Sequence, residues 1–183
     1  MIRLFLVSAF LIGSTCAFAQ SSIYSTKKGE FSFYSKAPLE DIKAINTHAI
    51  SVINIGNNEL VVRIPVAQFQ FRNKLMQQHF NENYMESEKY PHATFKGSIN
   101  ETIDFNKPGV YDVSATGILN IHGINNTRTF IGKMTVNDKG LLLVTNFDVI
   151  LTDHKIAIPR LVFNKIAEKI AVSASINYSP YVK

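Results

Sequence analysis

Tryptophan is absent from the 183 residues, and cysteine occurs once, as Cys16. Nine glycines and six prolines are too few for a collagen-like or low-complexity chain. Charged residues make up 18% of the chain against 46% hydrophobic ones, which excludes intrinsic disorder. The net charge of +5 is mild, and Lys27-Lys28 is the only adjacent basic pair, so no basic stripe awaits a nucleic acid. No apolar run approaches the ~20 residues of a membrane-spanning helix. Also missing are a G-x-S-x-G nucleophile elbow, an H-E-x-x-H pair and a cysteine ligand set. No catalytic residue, metal or cofactor is therefore assigned.

The longest apolar run sits at the start. Met1 to Arg3 is a short basic opening, Leu4 to Ile12 is apolar, and Ala17-Phe18-Ala19 has the A-x-A pattern of a cleavage site. Residues 1–19 are expected to be a secretory signal peptide, with the mature chain, residues 20–183, forming one domain. Lipoprotein processing at Cys16 is the competing reading, disfavoured by Thr15 before it. Cleavage after Ala19 removes Arg3 and Cys16, leaving a net charge of +4 and no thiol. The mature protein is then expected to be secreted, to the periplasm if the source is Gram-negative, and held by packing alone.

From residue 30 onward the pattern is mainly one of strands at short spacing. Glu30–Ser35 alternates with Phe31 and Phe33 on one face, and Ile45–Ile55 is β-branched. Gly56-Asn57-Asn58 turns the chain into Leu60–Phe71, where parity slips after Pro65-Val66, the mark of a bulge. Phe95, Gly97 and Ile99 share a face. Tyr111, Val113, Ala115, Gly117, Leu119 and Ile121 alternate with neighbours that are polar except Ile118, and Phe130, Gly132, Met134 and Val136 with neighbours that are polar except Ile131. Leu141 to Leu151 and Ile170 to Tyr178 repeat the pattern, and Asn137-Asp138-Lys139-Gly140 is a tight turn. One helix is predicted, capped by Asn73, with Leu75, Met76, His79, Phe80 and Tyr84 on its dry stripe.

Eight strands with one dry and one wet face, and a single covering helix, predict an all-β antiparallel barrel. Such a barrel is either filled by side chains or hollow enough for one small ligand. An outer-membrane barrel with its dry face outward also fits the alternation, but the helix stripe then has nothing to cover. Gly97, Gly117 and Gly132, on the dry parity, mark either corners or room for a guest.

The segment Phe69–Gly97 (FQFRNKLMQQHFNENYMESEKYPHATFKG) joins a strand, the helix and a Tyr90-Pro91 step into Phe95. Together with Gly117-Ile-Leu-Asn-Ile-His122-Gly123, and in this order after a signal peptide, it resembles the YceI-like family of secreted bacterial proteins. The likeness runs from about Gly29 to Tyr178. It implies an extended, lipocalin-like barrel whose apolar tunnel binds a polyisoprenoid or similar long lipid. Family members often carry His-Ser in the first strand, where Phe31-Ser32-Phe33 stands here, and Arg-Asp before the helix, where this chain has Arg72-Asn73. A late Asp-Phe-Gly type segment is replaced by Thr152-Asp153-His154-Lys155.

On this reading the tunnel is lined by Phe31, Phe33, Phe69, Phe71, Met76, Phe80, Tyr84, Phe95, Tyr111, Val113, Leu119, Phe130, Met134, Phe147 and Val172. Arg128 is the candidate for a head-group contact. Met85 joins Met76 and Met134 as side chains able to fit an irregular chain. The partner is a long-chain lipid (polyisoprenoid, quinone or fatty-acid derivative), with no nucleic acid and at most transient contact with an anionic membrane. Two rivals remain: an interaction or stress-related protein with a filled barrel, and an enzyme acting on a lipid. His79 with Glu82, one helical turn apart, reads as structural rather than as a metal site. Asp153 and His154 would point to opposite faces if they lay in a strand and so form no relay, and Asp153 is expected to be a polar bend near the barrel mouth.

Overall fold

The computed structural model describes residues 22–36, 41–157 and 167–181. The signal-peptide expectation for residues 1–19 lies outside them. Nine strands are described: β1 (Ile23–Ser35), β2 (Ile42–Asn54), β3 (Glu59–Pro65), β4 (Gln70–Phe71), β5 (His92–Ile99), β6 (Gly109–Ile121), β7 (Ile124–Asn137), β8 (Gly140–Ile150) and β9 (Lys169–Pro180). All pair antiparallel, in the order β1-β9-β8-β7-β6-β5-β3-β2, and β1 pairs with β2 to close the barrel. The two-residue β4 adds to the rim of β2, Ala44 opposite Phe71.

Period-two burial organises the wall. In β6, Val113, Ala115 and Leu119 are buried while Asp112, Thr116 and Ile118 alternate with them toward solvent. The dry face is therefore the inner one, and the outer face carries ion pairs between strands. Lys133 Nζ lies 2.6 Å from Asp112 Oδ1, and Lys169 Nζ 2.8 Å from Asp148 Oδ2. In β1 the buried parity changes from Tyr24 to Gly29 and Phe31, because register shifts in its pairing with β2 insert residues near the exposed Lys27-Lys28. The slip expected after Pro65-Val66 is a 3-10 turn, Val66–Gln68.

The helix starts where its cap places it. Asn73 Oδ1 accepts the Leu75 and Met76 amides, and α1 runs Lys74–His79. It then widens into one π-turn, Phe80–Tyr84, closed by the Met85 amide donating to the Phe80 carbonyl. β9 continues through Pro180 rather than stopping before it.

One end of the barrel is solid. Tyr24, Ala49, Ile53, Met134, Val136, Leu141 and Tyr178 are buried there, with Ile103 and Phe105 of the β5–β6 loop packed against them. Ser51 Oγ sits 2.7 Å from Tyr178 Oη and also bonds the Val61 carbonyl. A serine has one proton to give, so Ser51 donates to Val61 and Tyr178 donates to Ser51. Burial pushes the Tyr178 hydroxyl well above the usual tyrosine range.

Candidate functional site

Above the solid end the barrel is hollow. Its cavity has a volume of about 460 Å³, within the range of small-molecule sites. The described residues lining it include no Asp, Glu, Lys or Arg, and few polar groups, among them Ser35, Asn73, His79, Tyr84, Thr94 and Thr145. Hollow and solid halves differ in residue size. Small Ala115 and Ala174 face the cavity, whereas Met134, Ile53 and Tyr178 fill the other end.

Aromatic rings build the upper wall. Phe33, Phe69, Phe71 and Phe80 bring β1, β4, the 3-10 turn and the π-turn together, with centroids 5.0–5.7 Å apart. Phe33 and Phe80 stack at 28°, and Phe71–Phe80 is the closest of these pairs. Below them Phe130 lies between Phe95 and Phe147, at 5.2 and 4.5 Å. Such geometries add about 0.5–1.5 kcal/mol per pair beyond burial and hold the rings in place.

Of the fifteen side chains expected to line the tunnel, Phe31, Phe33, Phe69, Phe71, Met76, Phe80, Tyr84, Phe95, Val113, Leu119, Phe130, Phe147 and Val172 face the cavity. Tyr111 and Met134 do not. They share the inward parity but stand opposite each other in the β6–β7 ladder, at the solid end. Met134 is fully enclosed there, and Tyr111 Oη donates to the Lys107 carbonyl, 2.8 Å away. Of the three adaptable methionines, Met76 and Met85 therefore line the cavity and Met134 does not. Arg128 is half-buried outside the lining, its Nη2 donating to the Asp148 carbonyl at 2.9 Å. The emphasis on aromatic residues overlooked the aliphatic lining, such as Leu60, Val62, Ile121, Val149 and Ile170, although strand parity marks them equally.

The mouth carries a polar knot. His122 Nε2 donates to Glu86 Oε2 at 2.8 Å, and its Nδ1 lies 3.2 Å from the His154 carbonyl. Tyr90 meets the His122 ring edge-on at 4.5 Å. Glu86, His122 and Lys155 all have left-handed φ, +42°, +52° and +54°, an arrangement costly for non-glycine residues. His122 is thus a turn residue tied inward by hydrogen bonds. Asp153, expected as a bend, belongs with His154 to a 3-10 turn, Leu151–His154. His154 is fully buried, with Nδ1 3.4 Å from Asn126 Nδ2.

Burial lowers the His154 pKa, against the opposing pull of the Ile121 and Ile124 carbonyls and Asp153. The folded protein therefore keeps this ring neutral where the unfolded chain, near pH 6.5, begins to protonate. Stability is fully present above that pH and falls below it, by at most about 1.4 kcal/mol per pH unit for one proton. His92, lowered by burial and by Arg63, acts in the same direction. His154→Gln is expected to flatten, without abolishing, the loss of melting temperature between pH 6.5 and 5. An unchanged pH slope in scanning calorimetry contradicts this.

The YceI-like domain profile matches residues 14–178 of the chain. No curated protein matches it. Among solved structures, a polyisoprenoid-binding domain from Saccharophagus degradans implicated in plant cell wall breakdown superposes with a TM-score of 0.72. The two are 14% identical, over 88% of this chain and 100% of that one. Burkholderia cenocepacia BcnA gives 0.66 at 17% identity, covering 81% and 94%. The Campylobacter jejuni YCEI protein gives 0.56 at 17%, covering 100% of both. At these identities the likeness is one of fold.

Proposed function

The chain belongs to the YceI-like domain family, and from that premise we propose that it binds a long apolar lipid, a polyisoprenoid or similar chain, inside its barrel without chemically altering it. Family and neighbours point to lipid binding, and to a binding protein rather than an enzyme. The observation that carries the reading is the cavity: about 460 Å³ whose described lining holds no charged side chain. Water would find few partners there, and a charged group buried in it no Asp, Glu, Lys or Arg counter-charge among the described lining.

Size narrows the guest. At ~30 Å³ per water-sized group the cavity takes about fifteen methylenes. At ~0.8 kcal/mol each they yield about 12 kcal/mol, against an association cost of about 4–15 kcal/mol. A short chain falls in the lower part of that range or below it; a chain that fills the cavity exceeds its middle, and a longer one that extends through the mouth adds further burial. Residues 1–19 support export, so the working compartment we propose is the periplasm, with storage or transport of the lipid as the role. Mass spectrometry of an organic extract of the purified protein is expected to show a co-purifying lipid of about fifteen or more carbons. No lipid, together with no uptake of added prenyl or acyl chains, overturns the reading.

A further inference from the structure

The barrel wall is not continuous. β7 pairs with β8 only from Gly132 to Asn137, opposite Thr145 to Gly140. Above Gly132, β7 is bonded to β6 alone, up to Ile124. Above Thr145, β8 is bonded to β9 alone, up to Ile150. The ladders on either side persist while the one between them stops.

Side chains close the resulting seam, each donating to a backbone carbonyl across it. Thr145 Oγ1 donates to the Ile131 carbonyl at 2.7 Å. Arg128 Nη2 reaches the Asp148 carbonyl at 2.9 Å, and Asn126 Nδ2 the Asp153 carbonyl at 3.0 Å. Behind these rungs the Phe130 and Phe147 rings meet at 4.5 Å, and the Arg128 guanidinium lies 5.8 Å from the Phe130 ring centre. A backbone ladder cannot part without unfolding its strands. A side-chain rung parts by a rotamer change, on the picosecond-to-nanosecond scale for exposed groups.

The cavity already reaches this seam. Phe130, Ile131 and Gly132 of β7 and Thr145 and Phe147 of β8 line it on the two sides of the seam, and the Ile131 side chain points outward, 74% exposed, at the outer rim. The cavity is thus bounded at the seam by side chains and rungs rather than by a backbone ladder. We infer that the upper β7–β8 seam is a lateral portal through which the apolar chain enters and leaves, with Arg128, Thr145 and Asn126 as its latch. This rests on the lipid-binding reading of the cavity.

Stopped-flow exchange of cis-parinaric acid, a fluorescent eighteen-carbon polyene acid, tests it on the full mature chain. Arg128→Ala and Thr145→Val each remove one rung and are expected to raise both association and dissociation rates at least fivefold. Ile131→Trp narrows the outer rim and is expected to slow both, a direction that general loosening of the barrel does not produce. Lys133→Ala, which breaks an ion pair to Asp112 on the outer face of β6–β7, is the comparison for non-specific effects. Rates for all three seam variants within twofold of wild type, or no different from those of Lys133→Ala, overturn the portal while leaving lipid binding intact. A wild-type protein that takes up no probe overturns the lipid reading, and the portal with it.

Discussion

Ala115→Phe is expected to weaken binding of a long acyl or prenyl probe at least 100-fold without lowering the melting temperature. Ala115 lies on β6 between Ile99 of β5 and Phe130 of β7, and faces the cavity. A phenyl ring there adds six carbons to a space that takes about fifteen methylene-sized groups. Six displaced groups at ~0.8 kcal/mol each amount to about 5 kcal/mol of lost burial, more than a thousandfold in affinity if the guest cannot shift. The same ring meets the protein's own walls, so the folded state gains contacts in place of the guest's. Ala49→Phe is the counterpart. Ala49 is fully enclosed, lies beside Gly29 and lines no cavity, so an added ring there overpacks a filled core and costs about 1–3 kcal/mol or more. Titration with the probe and thermal melts of both variants check the pair. A solid barrel would make the two alanines behave alike, and a loss of stability in both contradicts the hollow half.

This contrast also marks what the sequence conveys. Alternation along β6 to β9 is written in residue type, because each inward position must be apolar and each outward one wet; faces and strand count were legible for that reason. The helix start was legible in Asn73, whose short side chain can bond only local amides. Depth along the barrel axis was not. Tyr111 and Val113 have the same parity, yet one stands at the solid end and the other at the cavity. The difference comes from Ile103 and Phe105, which the β5–β6 loop folds under the barrel, a long-range event with no local period. The seam was hidden for a related reason. Ladder bonds come from the backbone, so nothing in residues 124–131 announces that they lack one neighbour, and Thr145, Arg128 and Asn126 read as ordinary polar side chains. His154 was hidden as well: the bend at Asp153 was legible, but nothing local announces that the 3-10 turn carries the next side chain inside.

Gly117→Ala is expected to destabilise the protein by about 1–3 kcal/mol or more, for a reason distinct from guest space. Gly97 and Gly117 stand directly opposite each other in the β5–β6 ladder. A Cβ on Gly117 would fall on the Lys96 carbonyl oxygen and the Gly97 Cα, and one on Gly97 would lie 2.7 Å from the Phe95 ring and 2.8 Å from the Gly117 Cα. These obstacles are largely backbone, which cannot rotate away as a side chain tip does. Two coiled strands cross here at a distance that only two hydrogens permit, so of the readings open for this glycine pair the corner is the one the geometry favours. At ~2–4 °C per kcal/mol for a chain of this size, the melting temperature falls by roughly 2–12 °C. Gly109→Ala is the control: the nearest atoms to its added Cβ belong to the Tyr111 ring, at 3.5 Å and beyond, so its effect stays within about 0.5 kcal/mol. The double variant Gly97→Ala, Gly117→Ala decides the cause. If strand separation is the cost, the first alanine already forces the strands apart and the second adds less than its single-site loss. Strictly additive losses in denaturant titrations contradict a shared backbone contact.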